Sequence, residues 1–212
     1  DNLEIEFNEI ELNQKNSNFI AKNNVKIFEV EKKLFIETNL VTYDLKLKIL
    51  ESSTKSILKD QFNNFFDTQY FNYNINKNIL KLRETSFKDS EQNNYYLNLA
   101  YVNTQSNKLF GKDVDINLNN KSFNKNNEPR LKGKSVVSDN ETTVVSKGVF
   151  TTCKKTDKCP PWQLSAEEIK HDKKKQVVNY KNAWLQVYDV PVMYFPKFFH
   201  PDPTVKRRSG FL

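Results

Sequence analysis

The chain has 212 residues, 37% of them hydrophobic and 13% aromatic, with 33 Lys and Arg against 26 Asp and Glu for a formal net charge of +7. So many large rings exclude a disordered chain, and 4 glycines leave no Gly-rich cradle for a nucleotide phosphate. The basic excess favours anionic partners, but its lysines are scattered through Asn-rich turns such as 22–24 rather than gathered in a stripe, so no nucleic-acid partner is expected.

In chain order, Leu3, Ile5 and Phe7 alternate with charged residues and open a strand that runs to Leu12. Apolar pairs then recur every 30 positions, at Phe19-Ile20, Ile49-Leu50, Ile79-Leu80 and Leu109-Phe110. Seven residues beyond the second member come Ile27, Ile57 and Phe87, with Ile116 one place early. Seven before it come Tyr43 and Tyr73, followed by Asp44 and Asn74. Alternating runs such as Leu45, Leu47 and Ile49 sit between Asn-rich stretches at 13–18, 72–78 and 103–107, where Asn and Asp bond to nearby backbone and accept left-handed geometry. Each copy reads as two short strands. Residues 51–66 also have helical spacing, but the same register elsewhere is Thr- or Asn-rich, which favours strand.

After Asn120 the regularity pauses. It resumes with strands at 135–138 and 142–146 around a hairpin turn at 139–141, and a further copy starts at Trp162, with HisAsp at 171–172 in the place of TyrAsp at 43–44. Two-strand units with one apolar face cannot bury it alone, so they close over one another as an all-β roll. No apolar run approaches the roughly 20 residues of a spanning helix, and Asp1 onward shows no leader pattern.

Two stretches carry a resemblance. GlyValPheThrThrCys at 148–153 with ProProTrpGlnLeuSerAlaGluGluIle at 160–169, and the string from Asp189 through the ArgArgSerGlyPheLeu that ends at Leu212, resemble the LptD (OstA) family of lipopolysaccharide-assembly proteins. The earlier strands resemble, more loosely, the OstA-like module of bridge proteins such as LptA. The resemblance implies an OstA-like periplasmic β-jellyroll, a twisted open roll of short antiparallel strands, over 1–188. Residues 189–212 would then be a Pro-rich connector and the start of the first strand of an outer-membrane barrel. It also implies lipopolysaccharide transport with no catalysis and no cofactor. The implied partners are the lipid A of lipopolysaccharide, an LptA-like bridge protein that adds a strand, and an LptE-like plug lipoprotein bound through the barrel.

The candidate lipid-lining residues are Ile20, Ile27, Leu50, Ile57, Leu80, Phe87 and Phe110, which hold repeat positions suited either to a dry core or to acyl chains. Leu3, Ile5 and Phe7 are candidates for strand docking at an open edge. Pro191, Pro196, Pro201 and Pro203 punctuate an exit from the sheet and are expected to form a stiff hinge. Lys206, Arg207 and Arg208 would meet lipid phosphates or flank a strand. Many family members carry one cysteine, at the place of Cys153, that bonds to a cysteine near the barrel's end. With Cys159 also present, pairing between the two and long-range bonds are both open. Their spacing, with His171 and His200, is not that of a zinc site, and no metal is expected. Two rival readings are a free-standing bridge protein, which would lack the Pro-rich exit, and a polysaccharide-cleaving β-solenoid. The latter would need clustered carboxylates, whereas the adjacent Glu167 and Glu168 point to opposite faces of a strand.

Overall fold

The computed structural model describes residues 3–13, 17–89, 92–119, 127–156, 160–201 and 205. Among them the chain is strand and turn throughout: β1 (Leu3–Glu6), β2 (Glu9–Asn13), β3 (Asn18–Glu29), β4 (Leu34–Asp44), β5 (Ile49–Ser52), β6 (Ser56–Lys59), β7 (Phe65–Asn74), β8 (Ile79–Lys88), β9 (Asn94–Asn103), β10 (Lys108–Asn117), β11 (Arg130–Ser138), β12 (Thr142–Thr151), β13 (Trp162–Asp172), β14 (Val177–Val187) and β15 (Val190–Pro201). The all-β class expected from alternation is what forms, consistent with the jellyroll-like roll that the resemblance implies, and residues 51–66 are short strands and turns rather than a helix.

Two compact units emerge, one of Asp1–Glu91 with Tyr95–Gly111, the other of Gln92–Asn94 with Lys112–Leu212. In the first unit the hydrogen-bonded order is β1-β3-β4-β5-β7-β8-β9, with β2 on β3 and β6 between β4 and β7. In the second, β11, β12, β13, β14 and β15 follow one another as antiparallel neighbours, and the 139–141 hairpin joins β11 to β12 with Ser138 opposite Thr143.

The hairpin turns share one device. Asp44 Oδ1 accepts from the amides of Lys46 and Leu47 at 2.9 and 2.8 Å, and Asn103 Oδ1 from Gln105 and Ser106 at 3.0 and 2.8 Å. Asn74 and Asp172 accept from Lys77 and Lys175 in the same way, each at 2.9 Å. Four residues after each cap the backbone turns left-handed, at Lys48, Asn78, Asn107 and Gln176. Successive turns in the first unit are also bonded to each other, Ile75 N to Lys48 O at 3.0 Å and Thr104 N to Asn78 O at 2.9 Å. The TyrAsp and TyrAsn repeat signature is therefore the last inward residue of a strand followed by its turn cap.

A second periodic feature lies inside the strands. Asn24, Glu84, Asp113, Lys147 and Asn182 have positive φ in mid-strand, and β5 and β6 are separated at 53–55, the corresponding place one copy after Asn24. Left-handed residues of this kind bend a strand and interrupt its ladder; the β3–β4 register slips between Lys22 and Val25. In the first unit the freed polar groups are met by buried hydroxyls. Thr68 Oγ1 donates toward the carbonyls of Tyr70 and Arg83 at 2.9 and 2.8 Å, Thr85 Oγ1 toward Asp67 O at 3.2 Å, and Ser56 Oγ toward Thr54 O at 2.8 Å. Thr38, Ser56, Thr68 and Thr85 are cross-strand partners in sequence, forming a hydroxyl seam across β4, β6, β7 and β8.

Candidate functional site

On either side of the seam, cross-strand pairing assembles two apolar rows on the buried face of the first unit. Row one runs Phe19, Tyr43, Leu50, Tyr73, Leu80 across β3, β4, β5, β7 and β8. Row two runs Ile27, Ile36, Leu58, Phe66, Phe87 across β3, β4, β6, β7 and β8. Row two extends to Tyr95 through ring contacts, Phe66–Phe87 at 5.0 Å and Phe87–Tyr95 at 4.9 Å between centroids. Leu50, Leu80 and Ile27 are 0% exposed. Both rows are closed to solvent over most of their length, and no helix lies among the described residues of this unit.

Of the seven residues singled out by the repeat, Ile27, Leu50, Leu80 and Phe87 lie in these rows. Ile20, Ile57 and Phe110 are on the opposite face, where Ile20 stands across from Thr42, Ile57 across from Glu37 and Asp67, and Phe110 is exposed. Adjacent apolar residues always split between faces. The inward member is the first of the pair in Phe19-Ile20 and Leu109-Phe110, and the second in the other two copies. Period alone does not reveal this, but the turn cap does, since the residue before Asp44 and Asn74 faces inward. Phe19, Tyr43, Leu58, Phe66 and Tyr73 were missed for want of that cue.

Tyr73 is the one large polar side chain fully enclosed in row one. Its hydroxyl lies 3.4 Å from Thr104 Oγ1, and burial pushes its pKa above the usual phenol value. At the turn end of the same unit a cavity of about 410 Å³ is lined by Glu29, Lys32, Tyr43, Lys48 and Asn78 among others. Glu29 is buried there and caps the next turn by accepting from Lys32 N at 3.0 Å.

The expected edge strand 3–12 is present as two pieces. β1 pairs with the end of β3 (Leu3 opposite Glu29, Ile5 opposite Ile27), β2 with its start, and Phe7 lies exposed between them. The stretch expected to leave the sheet does not do so over 190–201, because β15 is paired along β14 with Pro191 and Pro201 in its ladder register. An edge strand needs donors on one side only, so prolines are tolerated there. Pro196 lies in the same strand, and Pro203 lies outside the described residues, as do Cys159, Lys206, Arg207 and Arg208. Cys153 carries a free, half-buried thiol, 3.5 Å from Trp162 O. Among the described residues no cluster of three His, Cys, Asp or Glu is arranged to hold a metal.

No protein-family model matches the chain. Part of it is similar to curated proteins called LPS-assembly protein LptD: 43% identical over 68 residues to that of Shewanella denitrificans, 40% over 68 residues to that of Yersinia pseudotuberculosis, and 39% over 51 residues to that of Francisella tularensis subsp. novicida. The matched stretches make up 32%, 32% and 24% of this chain, and 8%, 8% and 6% of those relatives.

Proposed function

We propose that this chain, LptD-like over 24–32% of its length, takes part in lipopolysaccharide assembly at the outer membrane, as a periplasmic β-jellyroll that shelters lipid A acyl chains on their way to a barrel. The observation that carries the reading is the pair of uninterrupted apolar rows in the first unit. Five strands at about 4.8 Å spacing give each row a length of about 19 Å, the scale of a long fatty acyl chain. Each CH₂ removed from water is worth about 0.8 kcal/mol, so a lipid with several acyl chains needs continuous apolar cover to move through an aqueous space. Exchange between similar apolar interiors changes little free energy, which suits a conduit better than a sink. Because Leu50 and Leu80 are wholly covered, acyl chains reach them by parting the two rows along the seam, where the strands are already bent. The same reading assigns Leu3, Ile5 and Phe7 to strand addition by an LptA-like bridge protein, and an LptE-like lipoprotein to the barrel.

The test is a photoreactive residue at Leu50, Leu80 or Phe110 in cells that make lipopolysaccharide. Adducts are expected from Leu50 and Leu80 and not from outward Phe110. Their absence at both inward positions, in chains that fold, would overturn the reading.

A further inference from the structure

The β14–β15 hairpin exposes an apolar surface that the rows of the first unit do not explain. Trp184, Tyr188, Val190, Val192 and Tyr194 are each 44–64% exposed, while exposed Met193, opposite Leu185, lies on the other face of the hairpin. Trp184 and Tyr194 are cross-strand partners whose rings lie 4.9 Å apart, on the face turned away from buried Ala183. Tyr194 donates its hydroxyl to Asn182 Oδ1 at 2.9 Å, which holds the ring in place at the kink. Between Lys181 and Lys197 the sequence has a single charged residue, Asp189, and its carboxylate accepts from Gln163 Nε2 at 2.8 Å.

At the base of this apolar stretch Lys181 and Lys197 face one another across the two strands, both exposed. Lys181 has Glu168 on its other side, but Lys197 sits on the edge strand. Like charges directly opposite in a sheet repel, and an anion between them removes that cost. An added protein strand is a poor occupant, because Pro191, Pro196 and Pro201 remove a backbone donor every fifth residue along the edge. Tyr and Trp beside aliphatic residues, with lysines at the border, match instead the chemistry of a lipid headgroup boundary.

We infer that the β14–β15 hairpin is a docking surface for an anionic lipid bilayer, Trp184 and Tyr194 seating at the headgroup level and Lys181 and Lys197 on lipid phosphates. It engages a membrane surface, not a lipid inside the roll, and does not depend on the conduit reading. The test uses the 212-residue chain with Trp162→Phe, which leaves Trp184 as sole tryptophan, and vesicles of phosphatidylcholine with or without phosphatidylglycerol. Anionic vesicles are expected to shift Trp184 emission to the blue, and lipids brominated on their acyl chains to quench it. Lys197→Gln is expected to weaken binding about fivefold with an unchanged circular dichroism spectrum. Flotation of the unsubstituted chain with the same vesicles reads binding independently of Trp162→Phe. No flotation with anionic vesicles overturns the inference, as does equal affinity of the Lys197→Gln chain. A blue shift that follows protein concentration without lipid also overturns it, since a second copy would then be the occupant. None of these outcomes bears on adducts from Leu50 and Leu80, which lie in the other unit.

Discussion

Thr68 illustrates what a single buried hydroxyl does in this sheet. It is 0% exposed and serves two carbonyls, Tyr70 O and Arg83 O, that the kink has taken out of the ladder. Leaving buried acceptors unmet costs about 1–3 kcal/mol, so Thr68→Val is expected to destabilise the chain by about 2 kcal/mol, read from urea unfolding. Two carboxylates respond to pH with opposite sign. Burial holds the Asp60 carboxyl above its ordinary value of 3.8, only partly offset by hydrogen bonds from Asn64 and Phe62. The folded state then binds that proton more tightly than the unfolded one, so the contribution of Asp60 is full below 3.8 and fades as pH rises through the raised value. The amides of Thr142 and Glu141 hold Asp139 below 3.8, so its contribution is present above that value and is lost as pH falls through the lowered one. Asp60→Asn should abolish the first slope and Asp139→Asn the second, measured as unfolding free energy across roughly pH 3 to 7.

Single strands, their turns and their period were legible in the sequence, because alternation and Asn or Asp caps act over a few neighbouring residues. Two element-level features were not. Glu84 and Lys147 adopt left-handed geometry without the Gly, Asn or Asp that announces it, a mark carried by Asn23-Asn24, Asp113 and Asn182. Thr38, Ser56 and Thr85 look like loop residues until their strands are bent enough to free carbonyls for them. The prolines of β15 pointed to a segment leaving the sheet, since sequence does not show which strand will have only one neighbour. The left-handed conformation costs an L-residue about 1–2 kcal/mol and glycine almost nothing. Lys147→Gly is therefore expected to be neutral or to stabilise by up to about 1 kcal/mol, whereas Lys147→Val should destabilise by about 1–2 kcal/mol. Equal melting temperatures for the two variants would argue that the bend at 147 is not a constraint on the strand.

For the molecule as a whole, the rows were legible as a repeat but not as a face, and four of the seven residues chosen from periodicity lie inward. The division into two compact units predicts that amide exchange will fall into two blocks, slowest in β7 and β8 and in β12 and β13, fastest at the outer strands β2 and β15. Hydrogen-exchange mass spectrometry checks this directly, and a single uniform block would count against the division.

The bonded stack of turns has a further implication for how such a chain changes length. In the first unit each Asp or Asn cap bonds within its own turn and successive turns bond to one another, so a unit built this way is expected to change length by whole increments of 30 residues. Gene duplication or excision of one increment would lengthen or shorten the greasy interior by two strand widths, about 10 Å, and leave every surviving side chain on its original face.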